Sequence, residues 1–370
     1  MKLFVKKILL LGLLLLLIIL GLNYLGVKAG NIYKDGAALV CETKREMVRS
    51  GEISYIKGKI NVLFLGTSRI LAGIVPSYFD RLSGGKTLSF NLALPGLPIS
   101  SSYFVLKDYL AKNPPPEYVV MELYINRCQS CALYNYYANQ GYSGLNEMAS
   151  LFMNSHDKSI IINYFFPFKM YKFFVFSYFF DRIFRPTNIV RIMEKNRSIL
   201  NRMKKDRGYY FIEEQAIAGD EQRETEFNKK KRKLIGKRGG YDPFVDPYTR
   251  KFFDLTFEKN IKVLLIQPVF REEQSLQYEE MPPQFNSILN RYSHVYMANE
   301  GWKLRFYERR FFGDITHLDK DGALMYTKEI FTEFNEIFPV VFSHNNKKLL
   351  EVRYNGTFSR KGSWPPEAKE

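Results

Sequence analysis

Cysteine is scarce in this chain, with three residues among 370, too few for a disulfide framework. Two of them form Cys128-Gln129-Ser130-Cys131, a spacing open to a redox pair, half a zinc site or a small local disulfide in an oxidising compartment. No second Cys pair or Cys/His set accompanies it, which argues against zinc, and a thioredoxin-type site needs the motif in its own βαβ context. No metal or other cofactor is therefore expected. Acidic residues are also in deficit, 38 against 54 Lys and Arg, for a formal charge of +16. Such an excess asks for an anionic partner. No nucleic-acid module signature and no internal repeat is evident, so nucleic acid is not expected. Anionic lipid headgroups or polyanionic envelope glycans fit a basic protein outside a membrane. The plainer alternative is a solvated insertion, because Lys and Arg cluster in 195–240.

Apolar residues are plentiful, at 46%, and the length suits one large domain with insertions or two ordinary ones. Lys2, Lys6 and Lys7 precede an unbroken apolar run from Ile8 to Leu22 that resumes at Tyr24, Leu25 and Val27. A helix crosses the ~30 Å hydrocarbon core with roughly 20 such residues. Lysines before it favour a cytoplasmic N-terminus. The expectation is a single-pass membrane anchor with the bulk of the chain extracytoplasmic. A signal peptide cleaved near Val27-Lys28-Ala29 is the rival reading, although the run exceeds a usual signal core.

After a mixed polar stretch, Ile60–Leu65 reads as a buried parallel strand. Helical spacing follows over 68–82, with Pro76 marking a break. Further strands are predicted at Thr87–Leu92, Tyr118–Leu123, Ile261–Pro268 and His294–Met297. Helices are predicted from Ser100 or Ser101 to Leu110, around Phe252, and over Gly322–Phe338. This alternation predicts an α/β fold, a three-layer doubly wound parallel sheet. From Gln129 to Tyr248 the alternation is lost. The aromatic run Ile160–Phe184 suits either an interfacial helix in contact with lipid or a helix covering the sheet, and 195–240 reads as mobile and solvent-facing. The chain thus divides into a cytoplasmic N-terminus and anchor (1–28), a stalk with a short helix (29–59), the first part of the α/β domain (60–128), a helical insertion (129–248), the second part (249–342) and a polar tail (343–370).

The residues that carry chemistry sit where strands end. Gly66-Thr67-Ser68-Arg69 closes the first strand and opens a helix, which puts the Ser68 hydroxyl at the carboxyl edge of the sheet, where open α/β folds bind ligands. Backbone N–H groups and a helix dipole there would favour a developing oxyanion. Asp314-Ile315-Thr316-His317 precedes the last helix. The spacing lets the carboxylate fix one imidazole nitrogen and leave the other free as a base. His156, His294 and His344 have no such neighbour at that spacing and read as ordinary surface or core residues.

Together these motifs resemble the SGNH (GDSL-like) hydrolase superfamily, in its G-x-S-R branch of bacterial envelope proteins similar to the D-alanyl-lipoteichoic-acid transfer protein and alginate O-acetylation factors. The resemblance rests on Gly66-Thr67-Ser68-Arg69, on Asn91-Leu92-Ala93-Leu94-Pro95-Gly96 and on Asp314-Ile315-Thr316-His317, and covers roughly 60–128 and 252–338. It implies an SGNH-hydrolase-like, flavodoxin-like sheet, a triad of Ser68, Asp314 and His317, and an oxyanion hole from the N–H groups of Ser68 and Gly96. Arg69 is implied either in positioning an anionic substrate or in packing. The family's G-x-N-D block after the third strand is missing; its nearest counterpart is Glu122-Leu123-Tyr124-Ile125-Asn126, which makes Asn126 the candidate third oxyanion group. The implied activity is that of a serine esterase or O-acyltransferase on an envelope glycan or lipid. The alternative is a degenerate SGNH-like scaffold or binding subunit of an envelope assembly complex, and a lipid-facing hydrolase docked by its aromatic segment is a third reading.

Overall fold

A computed structural model describes residues 2–28, 36–53, 56–95, 97, 99–122, 184, 186–210, 247–272, 286–298, 304–314 and 316–339. Five strands form one sheet: β1 (Ile60–Leu65), β2 (Thr87–Asn91), β3 (Tyr118–Glu122), β4 (Lys262–Ile266) and β6 (Val295–Met297). Their order is β2-β1-β3-β4-β6, and every neighbouring pair is parallel. Val62–Leu65 and Val119–Met121 are wholly buried, as continuous apolar strands covered on both faces must be. A pair of three-residue strands, β5 (Val269–Arg271) and β7 (Arg305–Tyr307), forms a second parallel ribbon.

One face carries α3 (Ser68–Gly73), α4 (Pro76–Leu82) and α9 (Lys320–Ile337), with α9 packed on the other two. Pro76 opens α4 at a position where its missing N–H has no helical partner to lose. Phe79 joins the layers: its ring meets Phe64, Phe331 and Phe334 edge-on at 5.1–5.4 Å, each contact worth about 0.5–1.5 kcal/mol beyond area burial. Elsewhere α5 (Ile99–Leu110) packs against α7 (Pro247–Glu258), and α8 (Asn286–Arg291) leads into β6.

Two expectations about the connecting segments need correction. The stretch read as a stalk with a short helix holds α2 (Gly36–Ser50), which is part of the core: it packs on α5 and buries Val40, Cys41, Lys44, Met47 and Val48. The folded unit therefore begins before Ile60. Within the insertion, α6 (Pro186–Lys205) packs on α2, and Met203 and Tyr209 join the core. The described part of 195–240 is thus docked along one side, while Arg197, Ser198, Asn201, Arg202 and Lys205 are exposed. It is clipped to edge strand β2: the Asn91 N–H donates to the Arg207 carbonyl at 2.9 Å, and Arg207 pairs with Asp80, whose other oxygen accepts from Thr87 at 2.7 Å.

The N-terminal helix α1 runs over Lys2–Lys28, and Leu3–Ile18 is the stretch whose side chains are described, all exposed. Among the described residues no helix is long and apolar enough to cross a membrane. The side chains of Leu22–Val27, the second half of the expected anchor, lie outside them. So do residues 160–183 of the aromatic run and the tail beyond residue 339.

Candidate active site

Three chain segments meet at the carboxyl edge of the sheet. The first is the turn after β1. Gly66 takes a φ of +155°, and a Cβ there would come within 2.6 Å of Glu122 Cβ and 2.7 Å of Ile70 Cγ1, so glycine is required for the turn to close over β3. Thr67 caps α3, its hydroxyl oxygen accepting the Arg69 N–H at 3.2 Å. Ser68 follows as the first residue of α3, half-buried. Because α3 has only six residues, the dipole support expected there is small, and an oxyanion would depend on individual N–H groups. Arg69 Nη1 donates to the Val269 carbonyl at 2.5 Å, and its guanidinium lies 4.4 Å from the Phe270 ring centroid. Both contacts hold Arg69 against β5.

The second segment is the turn before α9. Asp314 Oδ1 accepts the N–H groups of Thr316 and His317 at 2.7 and 2.8 Å, and Oδ2 lies 2.7 Å from His317 Nδ1. The carboxylate therefore shapes the turn and fixes the ring together. Burial alone would raise the Asp314 carboxyl, but the hydrogen bond and charge of His317 and the two N–H donors outweigh it and hold it at about 2. A backbone hydrogen bond from Gly313 N–H to the His317 carbonyl and a bridge between Phe312 and Leu318 close the turn. Asp319 then caps α9 through the Gly322 N–H at 2.8 Å.

The third segment is the end of β3. Glu122 is 2% exposed. Its Oε2 accepts the Thr67 N–H at 2.5 Å, and its Oε1 accepts the Thr67 hydroxyl at 3.1 Å. Burial raises its pKa above the usual carboxylate range, opposed by the Thr67 hydrogen bonds and by the charges of Arg69 and His317. The carboxylate that grips the residue before Ser68 thus also lies in the field of His317. Asp314 and His317 are bonded to each other, and His317 bears on Glu122, the carboxylate bonded to the residue before Ser68. Tyr326 of α9, also within the field of Glu122, closes this region from below by donating to the Gln267 carbonyl at 2.5 Å.

Gly96 and Asn126, the other expected oxyanion groups, lie outside the described residues, as do Cys128 and Cys131. The loop leading to Gly96 is described through Pro95 and is firmly held. Leu94 N–H donates to the Gly66 carbonyl at 3.0 Å, Ala93 N–H to Asn91 Oδ1 at 3.1 Å, and Lys44 Nζ to the Ala93 carbonyl at 2.6 Å. Asn91 Nδ2 reaches the Ile70 and Ile74 carbonyls at 2.8 and 3.0 Å, tying this loop to α3, which opens with Ser68. Among the described residues no group of three or more His, Cys, Asp or Glu converges as a metal site. Sequence reasoning passed over Glu122 and Lys44. The signal for Glu122 was an acid ending an otherwise apolar strand, and for Lys44 a lysine inside an apolar helical stripe.

A family model described as "Protein of unknown function (DUF1574)" matches residues 3–334. The chain belongs to the DUF1574 family. The match spans all three segments of the edge, so the site of this DUF1574 member lies wholly inside the family region. No curated protein matches it.

Proposed function

We propose that this DUF1574 member is a membrane-anchored, extracytoplasmic serine esterase or O-acyltransferase of SGNH type, acting on an ester of an envelope glycan or lipid. The observation that carries the reading is the Asp314–His317 pair, with its 2.7 Å carboxylate–imidazole contact, held at the sheet edge from which Ser68 emerges. The strand order supports it as well, since 2-1-3-4-5 is the flavodoxin-like arrangement that binds ligands at the strands' carboxyl ends. The anchor rests on the apolar run Ile8–Leu22 and the exposed leucines of α1.

In this reading Ser68 Oγ attacks the ester carbonyl carbon while His317 takes its proton, and Asp314 steadies the imidazolium. The N–H groups of Ser68 and Gly96 hold the oxyanion, His317 returns the proton to the departing alkoxide, and an acyl-Ser68 remains. Water then completes an esterase cycle, and a sugar hydroxyl completes a transferase cycle. Wild-type protein given p-nitrophenyl acetate is expected to release a burst of nitrophenol matching one acyl group per chain, and Ser68→Ala to abolish it. A folded wild-type protein inert to this and to acetylated glycans would instead favour a non-enzymatic scaffold. The lack of a G-x-N-D match after the third strand is what favours that second reading.

A further inference from the structure

We infer that Glu122 is a positioning residue for the nucleophile, taking over the place of the missing third-strand block by gripping the turn that presents Ser68. The inference rests on the esterase reading above. It begins from the chemistry of an acid where an apolar strand ends: a carboxylate 2% exposed stays buried only when hydrogen-bonded or paired. Both its oxygens are spent on Thr67, one on the backbone N–H and one on the hydroxyl. Thr67 cannot shift without breaking both bonds, and Ser68 is the next residue.

The grip extends to the loop on the other side of the turn. Gly66 leaves no room for a side chain against Glu122, and its carbonyl accepts the Leu94 N–H two residues before Gly96. One carboxylate thereby fixes the register of β3 against the nucleophile turn and, through Gly66, against the expected oxyanion loop. The hydroxyl of Thr67 passes the constraint on, because the oxygen that donates to Glu122 also accepts the Arg69 N–H inside α3. The charged and titratable groups that bear on Glu122 are Arg69 of α3, His317 of the turn before α9 and Tyr326 of α9. Glu122 touches no reacting atom, so its effect is on where Ser68 Oγ sits relative to His317, where a misplacement of about 1 Å is worth on the order of 10²-fold in rate.

The test uses the full chain with Glu122→Gln, which keeps an acceptor for the Thr67 N–H, and Glu122→Ala, which keeps none. Steady-state kinetics on p-nitrophenyl acetate are read beside labelling of Ser68 by an alkyl fluorophosphonate, in which the Ser68 Oγ–P bond forms, fluoride leaves and the proton passes to His317. Glu122→Ala is expected to lower kcat and the labelling rate together by about 10²-fold with KM little changed, and Glu122→Gln to recover most of that loss. Thermal melting separates this from loss of fold: a Glu122→Ala protein still folded at the assay temperature yet slower in both kcat and labelling, with KM little changed, supports the inference. Equal kcat and labelling rates in wild type and Glu122→Gln, with Glu122→Ala falling only as its folded fraction falls, overturn it and leave the esterase reading intact. A folded wild type that the fluorophosphonate does not label at Ser68 overturns the esterase reading and the inference with it.

Discussion

Asp314 makes four hydrogen bonds with one carboxylate, two to backbone N–H groups, one to the Thr316 hydroxyl and one to the His317 ring. Its pKa of about 2 lies below the ordinary 3.8. A depressed folded value means that the ionised form stabilises the fold. That contribution is present above about pH 3.8 and is lost as pH falls through about 2. The gap corresponds to at most about 2 kcal/mol, reduced by the solvent that reaches a side chain 31% exposed. Asp314→Asn is expected to remove this acid-range loss, visible in urea melts on either side of pH 3. It is also expected to lower kcat on p-nitrophenyl acetate by about 10³–10⁴-fold, because an amide leaves the imidazole in the wrong tautomer. Unchanged turnover would take Asp314 out of the mechanism.

Among the elements, α2 is the one whose role most exceeds its appearance. Burial drives the Lys44 amine well below the ordinary lysine value of 10.5, with Cys41 acting in the opposite direction. The unfolded chain then carries a proton that the fold excludes, so stability rises with pH between the folded value and 10.5. Lys44→Met is expected to flatten that rise, measured as the melting temperature across the alkaline range. An unaltered slope would show that the buried amine keeps its proton. The same residue explains why the short helix expected there was not placed in the core: Val40, Cys41, Lys44, Met47 and Val48 form a helical core stripe, but a lysine in its centre makes it look polar. By contrast Ile60–Leu65 was legible as a buried strand, and Pro76 as the break between two helices. The β5–β7 ribbon was not, since strands of three residues carrying Arg271 and Arg305 have no period to detect. In the site, a spacing of three made Asp314 and His317 readable. Glu122 and Thr67 are 55 residues apart, and only pairing of β1 with β3 makes them neighbours.

For the whole molecule, a charge of +16 and an apolar N-terminal helix act in the same direction. The full chain is expected to float with lipid vesicles of any headgroup and in high salt, as burial of an apolar helix is insensitive to screening. The chain shortened by residues 1–28 is expected to bind only anionic vesicles and to detach as ionic strength rises past ~0.15 M, where the Debye length is about 8 Å. A full chain left in the soluble fraction would refute the anchor, and a shortened one indifferent to anionic lipid would refute the lipid-contact role of its positive surface.

Tethered proteins are confined to a plane, where collisions between identical neighbours are frequent and an open sheet margin invites one copy to stitch onto the next. At β2 that margin is interrupted, because the amide of Asn91 is already occupied by the carbonyl of Arg207. The docked piece of the insertion therefore works as a selvedge: it finishes the fabric on that side, so that copies crowded together, as the proposed anchor would crowd them, need not end knitted to one another.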